Sequence, residues 1–154
     1  MNGVLDIRLV NSLPEIRRLA EVIEAFGVTH GVPDRVIFNL NLALDEILSN
    51  VIEYALADDT VHEILVRLTI TDTALKAEVI DDGPPYDPTL LPDPDTSLSI
   101  EDRPVGGLGV YFAKRMMDRL EYCRDEGANR LTMIRLIDRG EDLPVAASPS
   151  RLTE

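Results

Sequence analysis

Glu46 and Asn50 stand four residues apart within VIFNLNLALDEILSNVIEYALA, residues 36–57. On a helix that spacing stacks the two side chains on one face, with Cβ atoms about 5–6 Å apart. Asn39 and Glu53 fall near the same face. A carboxylate placed there can take a proton from an incoming hydroxyl or water. A carboxamide oxygen is a hard, neutral ligand suited to Mg2+. By itself the pair more often marks a solvated helix face. Two further segments change the weighing. Asp81-Asp82-Gly83-Pro84-Pro85-Tyr86-Asp87-Pro88 closes a strand-like run. A carboxylate fixed at a strand end can accept from the exocyclic amine of an adenine, and the glycine lets the base approach. The plainer reading is an Asp-Gly turn. Gly106-Gly107-Leu108-Gly109 opens a helical pattern, where converging backbone N–H groups and the helix dipole favour an anion. No G-K-[ST] follows, so it is not a Walker A loop. Its plainer reading is a hinge.

The elements that must hold these segments follow from periodicity. Residues 4–10 alternate as a first strand. Ser12 to Glu15 has the form of a capping box, and Ile16, Leu19, Ala20, Ile23 and Phe26 mark a helix ending before Gly27. Pro33 suits the first turn of the next helix. In that helix Val36, Leu40, Ala43, Leu44, Ile47, Val51 and Ala55 recur at helical steps to about residue 57. Residues 61–71 and 75–81 alternate as a strand pair across a short turn. Six prolines between residues 82 and 105 exclude a regular element there. Such a loop inside a compact domain is functional or disordered. Residues 106–118 return to helical spacing. Residues 119–125 and 130–137 read as a hairpin across Glu126-Gly127-Ala128-Asn129. This order predicts an α+β two-layer sandwich, helices on one face of a mixed, mostly antiparallel sheet. It gives one domain over residues 1–138 and a loose polar tail over 139–154.

Composition bounds the function. A 154-residue chain buries roughly 68–70% of its unfolded surface and needs no staples. The net charge of −13 argues against a nucleic-acid partner, which calls for a basic face. It leaves ATP open, because converging amides and a few arginines reverse the field locally. It also suits a partner rich in Lys and Arg. With Cys123 as the single cysteine there is no disulfide framework. No signal peptide or membrane-length apolar run is visible, so the expectation is a soluble, cytoplasmic protein. His30 and His62 match no motif and read as surface residues.

Taken together in this order, the three segments make the chain resemble the anti-sigma serine/threonine kinases of the GHKL ATP-binding superfamily, the group that includes DNA gyrase and histidine-kinase catalytic domains. The box D/E-E-x-x-[ST]-N is matched by Asp45-Glu46-Ile47-Leu48-Ser49-Asn50, D-x-G-x-P-[FY]-D-P by Asp81 through Pro88, and G-G-x-G by Gly106 to Gly109. Met117-Asp118 and Asn129-Arg130-Leu131-Thr132 look like the family's helix end and final strand. The likeness spans roughly residues 4–137.

The resemblance implies a Bergerat-type ATP-binding fold that uses ATP and Mg2+. Glu46 would be the general base toward a target serine or threonine, and Asn50 the Mg2+ ligand. Asp81 would read adenine, with Gly83 and Pro85 along the base. Gly106, Gly107, Leu108 and Gly109 would cradle phosphate, and Thr132 would sit near the adenine. Residues 86–105 would form a lid, with Arg103 as its cation. Phosphoryl transfer needs positioning and charge neutralisation more than covalent help. The implied partners are a STAS-type anti-sigma antagonist, as phosphorylation target, and a sigma factor or other partner-switching protein, with a homodimer suggested. A nucleotide-sensing binding module without kinase activity would need Asp81 and the glycines but not Glu46. A purely structural α+β domain would show no nucleotide-dependent rise in melting temperature.

Overall fold

The computed structural model describes residues 2–58, 60–90 and 107–137. Its elements are β1 (Gly3–Val10), α1 (Pro14–Thr29), α2 (Asp34–Asn50), β2 (Glu63–Ile70), β3 (Ala74–Asp81), α3 (Gly107–Met116), β4 (Arg119–Asp125) and β5 (Ala128–Leu136). The strands form one sheet in the order β1-β2-β3-β5-β4. Each of the four pairings is antiparallel, so among the described strands the sheet has no mixed character. The fold is the expected α+β sandwich.

Alternation explains why one face is covered. In β2 and β3 every second residue is buried: Ile64, Val66, Leu68 and Ile70, then Leu75, Ala77, Val79 and Asp81. They meet Leu19 and Ile23 of α1, Val36, Leu40, Leu44, Ile47 and Leu48 of α2, and Val110 and Ala113 of α3 in one core. The other face is mixed, with Val4, Leu65, Ile80 and Ile134 among its side chains, and it carries cross-strand ion pairs. Arg67 grips Asp6 through two bonds of 2.8 and 3.0 Å. Arg8 meets Glu63 at 3.0 Å, and Arg130 meets Glu78 at 2.9 Å. Exposed pairs of this kind add little stability; they keep the uncovered face wet.

Local chemistry departs from the sequence expectation in four places. The capping box does not form. Leu13 takes the N-cap position without a side-chain bond, because Pro14 occupies the first turn. Glu15 instead accepts from the Val10 amide at 3.0 Å and from Arg18 at 2.9 Å. Chiefly through Arg18, its carboxyl is held at about 2. Helix α1 also runs through Gly27. The missing side chain there admits α2: a Cβ on Gly27 would stand 2.6 Å from Ile37 Cγ1. The chain turns at Gly31 instead, in the left-handed region at φ 67°. The end of α2 widens into a π-helical turn, Val51–Ala55, with Leu56 N–H donating to Val51 O at 2.8 Å. The last hairpin is tighter than a four-residue loop. Asp125 pairs with Ala128, and Glu126 (φ 51°) and Gly127 (φ 77°) form a two-residue turn of the kind whose twist matches paired strands.

Neither histidine is a free surface residue. His30 packs on the Phe26 ring, 4.3 Å between centroids. The His62 ring reaches Asp58 at 2.9 Å and Asp82 at 3.2 Å, tying the chain after α2 to the end of β3. Asn11 supports this corner by accepting from His62 N–H and donating to the carbonyls of Leu56 and Thr60. The bond to Asp58, then that to Asp82, raises the His62 pKa above its ordinary 6.5. A raised histidine pKa gives stability that is complete below about pH 6.5 and lost as pH rises through the folded-state value. The expected result is that His62→Gln removes part of the change in melting temperature between pH 6 and pH 9, which parallel thermal scans measure.

Candidate functional site

Helix α2 supplies the first group. Its buried stripe, Leu40, Ala43, Leu44, Ile47 and Leu48, faces the core. That orientation turns Glu46, half-buried, toward α3. Burial, and then the neighbouring Asp45, raises the Glu46 pKa above its usual 4.5. The start of α3 lies directly against it: a Cβ on Gly109 would collide with the Glu46 carboxylate. Glycine is therefore required for this close approach. The prediction is that Gly109→Ala displaces Glu46 and lowers any Glu46-dependent activity by about tenfold or more, as a misplaced catalytic group does. The fold should stay intact because the colliding atoms end a flexible side chain; activity and circular dichroism measured together test this.

One turn beyond Glu46, Asn50 is buried, and its Nδ2 has no hydrogen-bond partner among the described residues. A buried amide without a partner is rare enough to need a reason. Which amide atom is oxygen is assigned from hydrogen bonds, and here no structural bond claims this end. As assigned, the free end is a donor that a phosphate oxygen or a water would satisfy; with the amide turned over, its oxygen would face the same place and could ligate a magnesium ion, so the residue fits that role. Among the described residues there is no cluster of three His, Cys, Asp or Glu side chains able to hold a metal alone. A Mg2+ ion here would rest on Asn50 and on ligands brought by a nucleotide, in keeping with its preference for few protein ligands.

The end of β3 supplies the third group. Asp81 is buried, and its Oδ1 accepts from Gly83 N–H at 2.8 Å and from Asn129 Nδ2 at 3.0 Å. Gly83 is pressed against the end of α2: a Cβ there would stand 2.5 Å from Leu56 Cδ2 and 3.5 Å from Ala55 O. So α2 and its π-helical turn run from the Gly109 contact at one end to the Gly83 contact at the other. Glu46, Asn50, Gly83 and Gly109 therefore border one stretch that runs from α2 through its π-helical turn, and Asp81 is joined to it through Gly83. Pro85 lies exposed in the turn after Gly83. Leu108 belongs to the first turn of α3.

Thr132 is not brought to this place. In β5 the buried residues are Asn129, Leu131, Met133 and Arg135, so Thr132 projects from the opposite face, in register with Glu78. The position opposite Asp81 belongs to Asn129. Arg103, Gly106, the lid from residue 91 to 105 and the tail 139–154 lie outside the described residues.

Three residues at the site were not singled out as site residues from sequence. Asn129 Nδ2 also donates to Pro84 O at 2.9 Å. Its Oδ1 accepts from the Tyr122 hydroxyl, from Arg124 Nη1 at 3.2 Å and from Tyr86 N–H at 3.3 Å. Arg124 Nη1 donates to Gly83 O at 2.7 Å. The one available signal was a polar residue on the apolar phase of β5. Reading Asn129 as a turn residue hid that signal. A separate groove of about 740 Å3 lies between α1 and α2, lined in part by Val28, Phe38, Leu42 and Asp45. Its lining includes none of Glu46, Asn50, Asp81, Gly83 and Gly109.

The profile of the histidine kinase-like ATPase domain matches residues 9–135, most of the chain and all of the elements that carry this site. The chain belongs to that family. It is similar to the serine-protein kinase RsbW of Bacillus cereus (strain AH820), 30% identical over 105 residues that make up 66% of this chain and 64% of the relative. The RsbW of Bacillus anthracis (strain CDC 684 / NRRL 3495) matches to the same extent. The chain thus spans just under two thirds of the length of these relatives. The solved structure of the RsbU and RsbW domains of Rv1364c from Mycobacterium tuberculosis superposes with a TM-score of 0.62 at 19% identity, over 87% of this chain and 32% of the other. That likeness is one of fold. As a histidine kinase-like ATPase domain, the chain has its acid, amide and strand-end aspartate on the elements the motifs predicted. Among the described residues no helix is long and apolar enough to cross a membrane.

Proposed function

We propose that this domain binds Mg·ATP and transfers its γ-phosphoryl group to a serine or threonine of a small STAS-type antagonist protein, working as an anti-sigma or related partner-switching factor in the cytoplasm. The observation that carries the reading is the half-buried Glu46 carboxylate lying against the glycine start of α3. In that position Glu46 takes the proton of the incoming hydroxyl as its oxygen forms the bond to phosphorus and the bond to ADP breaks. Asn50 would hold Mg2+, which when bound would neutralise phosphate charge. Asp81 receives the adenine amine, Gly83 leaves room for the base, and the first N–H groups of α3 face the phosphates. Arg103 is proposed as the lid cation. The RsbW relatives are named serine-protein kinases, which supports the reaction class.

The test is transfer of label from γ-labelled ATP to a purified STAS-domain antagonist, with and without Mg2+. Magnesium-dependent labelling of one hydroxyl residue is the expected result. Tight ATP binding without labelling would replace the kinase reading with a nucleotide-sensing binding module.

A further inference from the structure

We infer that Asn129 is a positioning residue that sets purine selectivity, by locking the Asp81 carboxylate so that only one of its oxygens meets the base. The inference rests on the reading that Asp81 receives adenine. Asp81 Oδ1 is already used twice, by Gly83 N–H at 2.8 Å and by Asn129 Nδ2 at 3.0 Å. No hydrogen bond among the described residues reaches Oδ2. The carboxylate is thus oriented from behind, with its second oxygen left for a donor.

Asn129 is itself held on every polar atom. Its amide nitrogen spans Asp81 and Pro84 O, and its oxygen collects Tyr122, Arg124 and Tyr86. It is buried, and antiparallel register places it opposite Asp81 on β3 and opposite Arg124 on β4. A side chain so fully engaged has one rotamer, and it passes that constraint to Asp81.

The consequence is chemical. Adenine offers a donor at its 6-amino group, next to a bare ring nitrogen. Hypoxanthine offers an acceptor at the 6-position, next to a ring N–H. A carboxylate free to swing could follow the donor from one position to the other; a carboxylate pinned through Oδ1 cannot. Rejection of the wrong base then follows from an acceptor facing an acceptor in a buried site.

The test compares dissociation constants for Mg·ATP and Mg·ITP by calorimetry in the parent protein, Asn129→Asp and Tyr122→Phe. The two nucleotides share ribose and phosphates, so general weakening moves both constants together and leaves their ratio alone. The parent should prefer ATP by tenfold or more, and Asn129→Asp should shrink that preference by roughly tenfold. Tyr122→Phe leaves Asp81 and its direct partners in place but loosens Asn129. It should shrink the ratio in the same direction, and it decides the matter if Asn129→Asp does not fold. An unchanged ratio in a folded variant overturns the role of Asn129 while leaving adenine recognition standing. Equal affinity for ATP and ITP in the parent overturns both.

Discussion

Glu46→Gln should lower phosphotransfer to the antagonist by about 10²–10⁴-fold, the range supplied by a positioned general base. Glutamine keeps the shape and the contact with Gly109 but cannot take the hydroxyl proton. Nucleotide affinity, which we propose to rest on Asp81, Asn50 and the start of α3, should change little. The same substitution should not lower the melting temperature, and at neutral pH should raise it. A carboxyl whose folded pKa is raised by burial favours its protonated form in the fold. Its contribution to stability is therefore greatest at low pH and is lost as pH rises through the folded value. At neutral pH the ionised Glu46 is a cost that glutamine removes. In the parent, transfer should fall as pH drops through that raised value, above the usual 4.5. Single-turnover rates across pH, beside melting curves for both proteins, check all three statements. Transfer by Glu46→Gln at the parent rate would end the assignment of the base.

Asp81→Asn should weaken ATP binding by about ten- to hundredfold, the worth of a hydrogen bond from a neutral donor to a charged acceptor. Asparagine can keep its oxygen toward Gly83 N–H and Asn129 Nδ2, which are committed to that side. Its NH2 group is then left facing the adenine amine, donor against donor. Because the inward bonds survive, the fold should lose little. That separates the prediction from Asp81→Ala, which would leave two buried donors unsatisfied at about 1–3 kcal/mol each. Calorimetric titration with Mg·ATP measures the first effect, and denaturant unfolding of both variants the second. Parent-like affinity in a folded Asp81→Asn protein would remove Asp81 from adenine recognition.

Both substitutions act on residues that spacing alone placed well. Glu46 and Asn50 are four apart, and α2 is helical across both, so one turn sets their relation whatever surrounds them. Asp81 ends β3 because alternation over residues 75–81 carries Leu75, Ala77, Val79 and Asp81 to one face. Gly109 was legible as a glycine at a helix start, though the need for it was not. Its reason is a carboxylate on another helix, 63 positions earlier in the chain.

The sequence by itself determined the two-layer architecture, the central helix and the elements on which the three motif segments lie, because helical and strand periods are local and a glycine's freedom belongs to the residue. Tertiary structure decided the rest. Only strand pairing sets Asn129 opposite Asp81 and leaves Thr132 on the far face, since a shift of one residue along a strand exchanges its two sides. Only packing of α1 on α2 explains why the first helix passes through Gly27. Only the meeting of β3, β4 and β5 turns Tyr122, Arg124 and Asn129 into a support for Asp81. These partners lie 41 to 48 residues from the turn they hold, and no local pattern reports a contact over that distance.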